Sequence, residues 1–236
     1  MCGRFTLHHS TEEVADRFAV DTVQFPVEAR YNIAPQQPIA TVTAAPDGRR
    51  LDGFRWGLVP FWAKDPTIGG RMINARAETL LEKPAFKNAL ARRRCLIPAD
   101  GFYEWAKQGA KRQPMHIHLK RGDLFAFAGL WEEWNDPAAA GPDAPPLRTC
   151  TIITVAPNAV VAPIHDRMPA ILRPEDEAAW LDPSVRDCRA LLDLLGPYVQ
   201  EEAMNAYAVS RLVNAPGNDD PECIAPLDEE LVAAAA

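Results

Sequence analysis

The residue best equipped for unusual chemistry stands at the second position. Removal of the initiator would make Cys2 the first residue, and a small second side chain permits that removal. A free N-terminal cysteine carries an amine and a thiol on adjacent carbons. The amine titrates near ~7.7–8.0, so roughly a tenth to a fifth of it is neutral at pH 7. The thiol titrates near ~8.5 and is a strong nucleophile once ionised. With an aldehyde the amine condenses to an imine. The thiolate then closes on the imine carbon to give a five-membered thiazolidine. That closure is intramolecular, and well-oriented closures reach effective molarities of ~10⁵ M or more. With an amide the same pair acts differently: the thiol attacks and the amine serves as base. A third reading is an ordinary chain start with a buried cysteine.

The elements that must position Cys2 belong to a chain of 236 residues and 26.0 kDa, a length for one domain or two small ones. Its 22 prolines are about twice average usage, which favours loops and short strands over long helices. Ser10 and Glu13 form a capping-box pattern, with Val14 and Phe18 at helical spacing, so 11–19 reads as a short helix. Residues 38–44 and 51–59 read as strands around the Asp47-Gly48 turn, and 84–92 as a helix led by Pro84. Strand-like runs follow at 94–98, 101–105, 115–119, 124–131 and 149–155. Residues 134–147 read as a Pro/Ala/Gly loop, 174–181 and 184–196 as helices, and 204–209 as a late strand. This order predicts a single α+β domain with mostly antiparallel pairing over 1–213 and a loosely held acidic tail over 214–236.

No window holds the 18 or so apolar residues of a membrane span, and MCGRFTLHHSTEE lacks the apolar core of a signal peptide. A cytosolic protein without membrane contact is expected. Cys95, Cys150, Cys188 and Cys223 are scattered with no CxxC, against a disulfide framework and against a structural zinc site. His8, His9, His116 and His118 complete no metal-ligand pattern with the cysteines. No metal or other cofactor is expected. Net charge is -7, but residues 174–236 hold 3 basic and 14 acidic side chains, which leaves +4 on 1–173. Residues 71–94 alone hold seven Arg/Lys against Glu78 and Glu82. A basic region beside an acidic end suits a local polyanion site. It also suits a merely solvated surface.

Six segments together resemble the SRAP (SOS-response-associated peptidase, or abasic-site-processing) family. They are MCGRF at 1–5, YNIAP at 31–35, WGLVPFWAKD at 56–65, INARAET at 73–79, RRCLIPADGFYEW at 93–105 and PIHDRMPAIL at 163–172, in the family's order. The resemblance implies a barrel-like core of mostly antiparallel strands with peripheral helices. It implies a thiazolidine crosslink between processed Cys2 and the ring-opened aldehyde of an abasic site, preferably in single-stranded DNA, that protects the lesion during the damage response.

On the matching positions, Asn74 holds the cysteine and lesion in register, Glu104 moves protons to and from amine and imine, and His165 is the acid-base partner that helps open the deoxyribose ring. Arg4, Arg76 and Arg167 are implied phosphate contacts, and Trp62 and Pro35 apolar wedges or stacking surfaces. Taken singly, each has a structural alternative: a turn cap for Asn74, an arginine-paired strand carboxylate for Glu104, a structural imidazole for His165, core packing for the tryptophans. Pro157 departs from the small residue expected there. The rival is an N-terminal-nucleophile glutamine amidotransferase, whose chains also begin Met-Cys-Gly, though its oxyanion donors and glutamine-binding set are not located here. Self-removal of Met1 is compatible with the DNA reading, and a monomer is expected.

Overall fold

The computed structural model describes residues 2–109, 111–137, 145–198 and 200–227. The chain opens with β1 (Phe5–Leu7), α1 (Thr11–Arg17), β2 (Thr22–Val23), β3 (Arg30–Ile33), β4 (Pro38–Ala45), β5 (Gly48–Trp56) and β6 (Asn74–Arg76). Its middle comprises α2 (Pro84–Arg92), β7 (Arg94–Ala99), β8 (Gly101–Gln108), β9 (Lys111–Leu119), β10 (Phe125–Trp134) and β11 (Leu147–Val155). It ends with β12 (Met168–Pro169), β13 (Ile171–Leu172), α3 (Glu177–Leu181), α4 (Cys188–Asp193) and β14 (Met204–Ala208). The capping box is formed: Ser10 Oγ accepts from Glu13 N at 3.2 Å, and Glu13 Oε2 accepts from Ser10 N at 2.7 Å. The turn that joins β4 to β5 is Pro46-Asp47, one residue ahead of the Asp47-Gly48 expected; Gly48 opens β5 at φ +120°, a backbone region that favours glycine.

Strands β11, β10, β7, β4 and β5 lie in that order, and parallel pairing of β5 with β11 closes them into a five-stranded barrel. Closure leaves no open edge between those two strands. A second sheet, β14-β9-β8-β1-β3, packs on the barrel. Phe5 of β1 meets Trp56 edge-on at 5.3 Å and Phe127 at 5.8 Å between ring centroids. Both layers thus share one apolar core, which includes Cys2. The α+β class, the single domain and the barrel-like core agree with the sequence.

Several boundaries differ. The strand expected over 51–59 ends at Trp56, because Gly57 turns to φ +133°, where an added Cβ would lie 2.6 Å from Gly69 O. The helix expected over 184–196 is only Cys188–Asp193; Asp187 caps it by accepting from Arg189 N at 2.9 Å. The loop expected over 134–147 is narrower, since β10 runs through Trp134 and β11 begins at Leu147; 138–144 lie outside the described residues.

The loose tail does not begin at 214. Asp219 accepts from Tyr31 N at 2.6 Å and Asn32 N at 2.8 Å and pairs with Arg30, while Pro226 bridges Val209. These bonds tie 214–227 to β3 and the end of β14; residues 228–236 lie outside the described residues. No helix among the described residues is long and apolar enough to cross a membrane.

Candidate active site around Cys2

Cys2 is buried in the short segment that leads into β1. β1 pairs antiparallel with β8, Phe5 opposite Phe102, and Tyr103 N donates to Arg4 O at 3.0 Å. Continuing this ladder sets the segment before β1 along β8, and Cys2 lies close enough to Glu104 for the carboxylate's charge to act on its thiol. Burial pushes the Cys2 thiol far above its usual range, and the Glu104 carboxylate pushes it further. A thiol so placed is protonated at neutral pH and reacts only as a base takes its proton.

Asn74 reaches the same spot from the barrel. Trp56 Nε1 donates to Ile73 O at 2.8 Å, and Ile152 N to Ile73 O at 3.1 Å. These bonds set β6 parallel to β11, with Asn74 opposite Ile152. Asn74 Nδ2 then donates to Cys2 O at 2.7 Å. Its Oδ1 is buried and accepts no hydrogen bond among the described residues, so an acceptor is left over beside the Cys2 contact.

Glu104 is buried in β8, opposite Met115 of β9. Burial pushes its carboxyl up to about 7, so it exchanges a proton near neutrality. His165 Nε2 lies 3.9 Å from Glu104 Oε2. The loop bearing His165 is held by Asn158, whose Oδ1 accepts from Val161 N at 3.1 Å and whose Nδ2 donates to Tyr198 O at 3.1 Å. Pro157 directly precedes that anchor. His165 Nδ1 has two neighbours: Arg167 N, which donates at 3.1 Å, and the exposed Asp166 carboxylate at 2.9 Å. The first satisfies a neutral ring with its proton on Nε2, and the second a protonated ring. Burial lowers the His165 pKa, which favours the neutral form at pH 7.

Two open clefts meet at His165 and Asp166. One is lined by Arg76, Glu78, Thr79 and Arg167, the other by Trp105, Lys107, Arg112 and the 162–164 turn. Arg76 is exposed. Arg167 is engaged: it donates to both oxygens of Glu78 at 2.6 and 2.9 Å and to Thr154 O at 2.6 Å.

Cys2, Asn74, Glu104 and His165 are thus brought together, with Arg76 and Arg167 on the same rim. Arg4 is placed otherwise than expected. Its guanidinium donates to Asn32 Oδ1 at 2.7 Å, Val213 O at 2.5 Å and Asn214 O at 3.3 Å, so it ties the first strand to the C-terminal segment. Pro35 is half-buried and Trp62 is 50% exposed; neither lines either cleft. Sequence reasoning missed Glu78 and Arg112. Glu78 lies inside INARAET, but its pairing with a residue 89 positions away leaves no local signal. Arg112, whose charge lowers the pKa of both Glu104 and His165, reads in the sequence as one more exposed hairpin cation.

The fold is a closed five-stranded barrel with a second sheet packed on it, and it brings Cys2 together with an Asn, a Glu and a His. The chain belongs to the SOS response associated peptidase (SRAP) family, which residues 1–216 match. It is similar to the abasic site processing protein YoqW of Bacillus subtilis (strain 168), 50% identical over 229 residues, covering 95% of this chain and 99% of that protein. It is also similar to the abasic site processing protein HMCES of Gallus gallus, 36% identical over 204 residues, covering 76% of this chain and 58% of that protein. Among solved structures, a protein from Bacteroides thetaiotaomicron superposes with a TM-score of 0.85 at 29% identity, covering 96% of this chain and all (100%) of that one.

Proposed function

We propose that this protein processes abasic sites in DNA by covalent capture through Cys2, and that its preferred substrate is single-stranded. Loss of Met1 frees the Cys2 amine, and the sugar aldehyde of the ring-opened lesion is the electrophile. The amine adds to C1′, the adduct loses water to give an imine, and the sulfur adds to the imine carbon while the nitrogen regains a proton. One C–N and one C–S bond form, and one water leaves.

Each proton has a carrier. The buried thiol cannot ionise alone, so its proton passes to a neighbouring base, and Glu104, pushed up to about 7, serves. His165 in its protonated form, its Nδ1–H held by the Asp166 carboxylate, delivers the Nε2 proton to the ring oxygen as the deoxyribose opens and is left neutral, while the C1′ hydroxyl gives its proton to the Glu104 carboxylate. Asn74 holds the Cys2 carbonyl by its amide N–H, leaving Oδ1 to orient the amine. Arg76 and Arg167 are the phosphate contacts we assign to the rim. Trp62 and Pro35 act as stacking or wedge surfaces. The protein acts in the cytosol, as a monomer.

The convergence of Asn74, Glu104 and His165 on Cys2 is the observation that carries this reading. Its test is a denaturing gel of the Met1-free protein with a single-stranded oligonucleotide bearing one abasic site. A band that survives detergent and heat, and vanishes in Cys2→Ala, supports capture. Ammonia release from glutamine without such a band favours the amidotransferase reading.

A further inference from the structure

Away from Cys2, at the corner where β1 gives way to α1, two imidazoles face two carboxylates. His8 Nδ1 lies 2.9 Å from Asp100 Oδ2. That nitrogen is buried, with the Asp100 carboxylate as its close charged neighbour. His9 Nδ1 lies 3.4 Å from Glu13 Oε1. One donor atom each from His8, His9 and Asp100 fall within 4.8 Å of one another. Ligands of a tetrahedral zinc, at about 2.0–2.2 Å from the ion, stand about 3.3–3.5 Å apart. The His8–Asp100 pair at 2.9 Å is slightly closer than such an edge and no donor pair of the three is farther apart than 4.8 Å, so small side-chain rotations bring all three onto one ion.

We propose that His8, His9 and Asp100 form a divalent-metal site, with Zn²⁺ the cation that two imidazoles and a carboxylate suit and water in the fourth position. The surroundings are those of a ligand shell. His9 Nε2 stands 3.1 Å from Gly122 O, which draws the ring proton there and leaves Nδ1 bare. Asp100 is buried and fixed by Thr6 Oγ1 at 2.5 Å and by His8 N at 2.5 Å. Tyr31 stacks on the His8 ring at 5.3 Å with 14° between planes. His9 and Glu13 line an open cleft, which gives the ion a path from solvent. Glu13 offsets the charge of the ion. Bound there, the metal staples the end of β1 to the β7–β8 corner, four residues ahead of Glu104.

The test titrates Zn²⁺ into the chelator-treated full-length protein and follows binding and thermal unfolding. One equivalent binds, and the unfolding midpoint rises by about 5–10 °C when free Zn²⁺ stands roughly a hundredfold above its Kd. His9→Ala, on a half-buried ring, weakens binding at least about tenfold, and its midpoint in chelator reports whether it folds. His8→Ala does the same, and if it fails to fold, His9→Ala carries the test. Cys2→Ala leaves binding intact. The absence of saturable binding, binding that survives His9→Ala unchanged, or binding that is lost in Cys2→Ala overturns the proposal.

Discussion

Asn74 Nδ2 donates to the carbonyl oxygen of Cys2 at 2.7 Å, across a span of 72 residues. This bond joins β6, carried on the barrel, to the start of the chain, carried on the second sheet. It fixes where the Cys2 nitrogen sits relative to Glu104 and His165. A hydrogen bond of this type contributes about 0.5–1.5 kcal/mol. Asn74→Ala should therefore slow covalent capture by about 3–10-fold with little loss of thermal stability. Single-turnover crosslinking rates beside melting curves check this; an unchanged rate contradicts the positioning role.

Glu104 carries a pH prediction. Its folded pKa, about 7, lies above the usual 4.5 because burial disfavours the carboxylate. The folded state thus holds the proton more tightly than the unfolded state. The stabilising contribution of the protonated form is present below about pH 4.5 and is lost as pH rises through about 7. Glu104→Gln removes that loss. The variant should match the parent near pH 5 and exceed it in stability at pH 8, by on the order of 2 kcal/mol. Chemical denaturation at the two pH values decides; a gap independent of pH contradicts the buried-acid assignment.

Arg4 and Arg76 should separate cleanly. Arg4 is held by Asn32, Val213 and Asn214, so Arg4→Ala orphans partly buried acceptors and should cost about 1–3 kcal/mol of stability. Arg76 is exposed on the cleft rim, so Arg76→Ala should leave stability alone. It should flatten the dependence of log K on log salt for single-stranded DNA by about 0.7, one phosphate's worth. Salt titrations beside melting curves test both. An Arg4→Ala protein of unchanged stability with a flattened salt slope would restore Arg4 as a phosphate contact.

Glu78 holds both terminal nitrogens of Arg167, whose backbone N–H in turn caps His165 Nδ1. Glu78→Ala removes the carboxylate that competes with phosphate for that guanidinium, so the Arg167 contact strengthens and the salt slope should steepen, by up to about 0.7. Capture should slow at the same time, because the loop that orients His165 loses its anchor. A slope and a rate both equal to the parent's would mean that the ion pair does neither job.

How far the sequence alone carried is visible in particular residues. Local chemistry was readable: Ser10 with Glu13 closes the capping box, the hairpin turn falls within one residue of Asp47-Gly48, and Pro84 opens α2, because each of these depends on neighbours a few positions away. The barrel strands were readable from their apolar runs. Long-range partners were not. Asp219 sits in a stretch whose acidity reads as a solvated tail, yet its carboxylate caps the backbone of Tyr31 and Asn32. The roles of Arg4 and Glu78 depend on partners 28 to 210 residues away, which no spacing rule reaches. At the site, the motif matches put Cys2, Asn74, Glu104 and His165 forward; their meeting in space came from the pairing of β1 with β8 and of β6 with β11.

The central claim is that the freed start of the chain closes a ring on a sugar aldehyde, and intact mass reads it directly. Protein lacking Met1 is mixed with a single-stranded oligonucleotide bearing one abasic site and analysed under denaturing conditions. The account predicts a species at the sum of the two masses less one water, absent in Cys2→Ala. A protein that keeps Met1 and forms the same species, or a Met1-free protein that forms none, contradicts it.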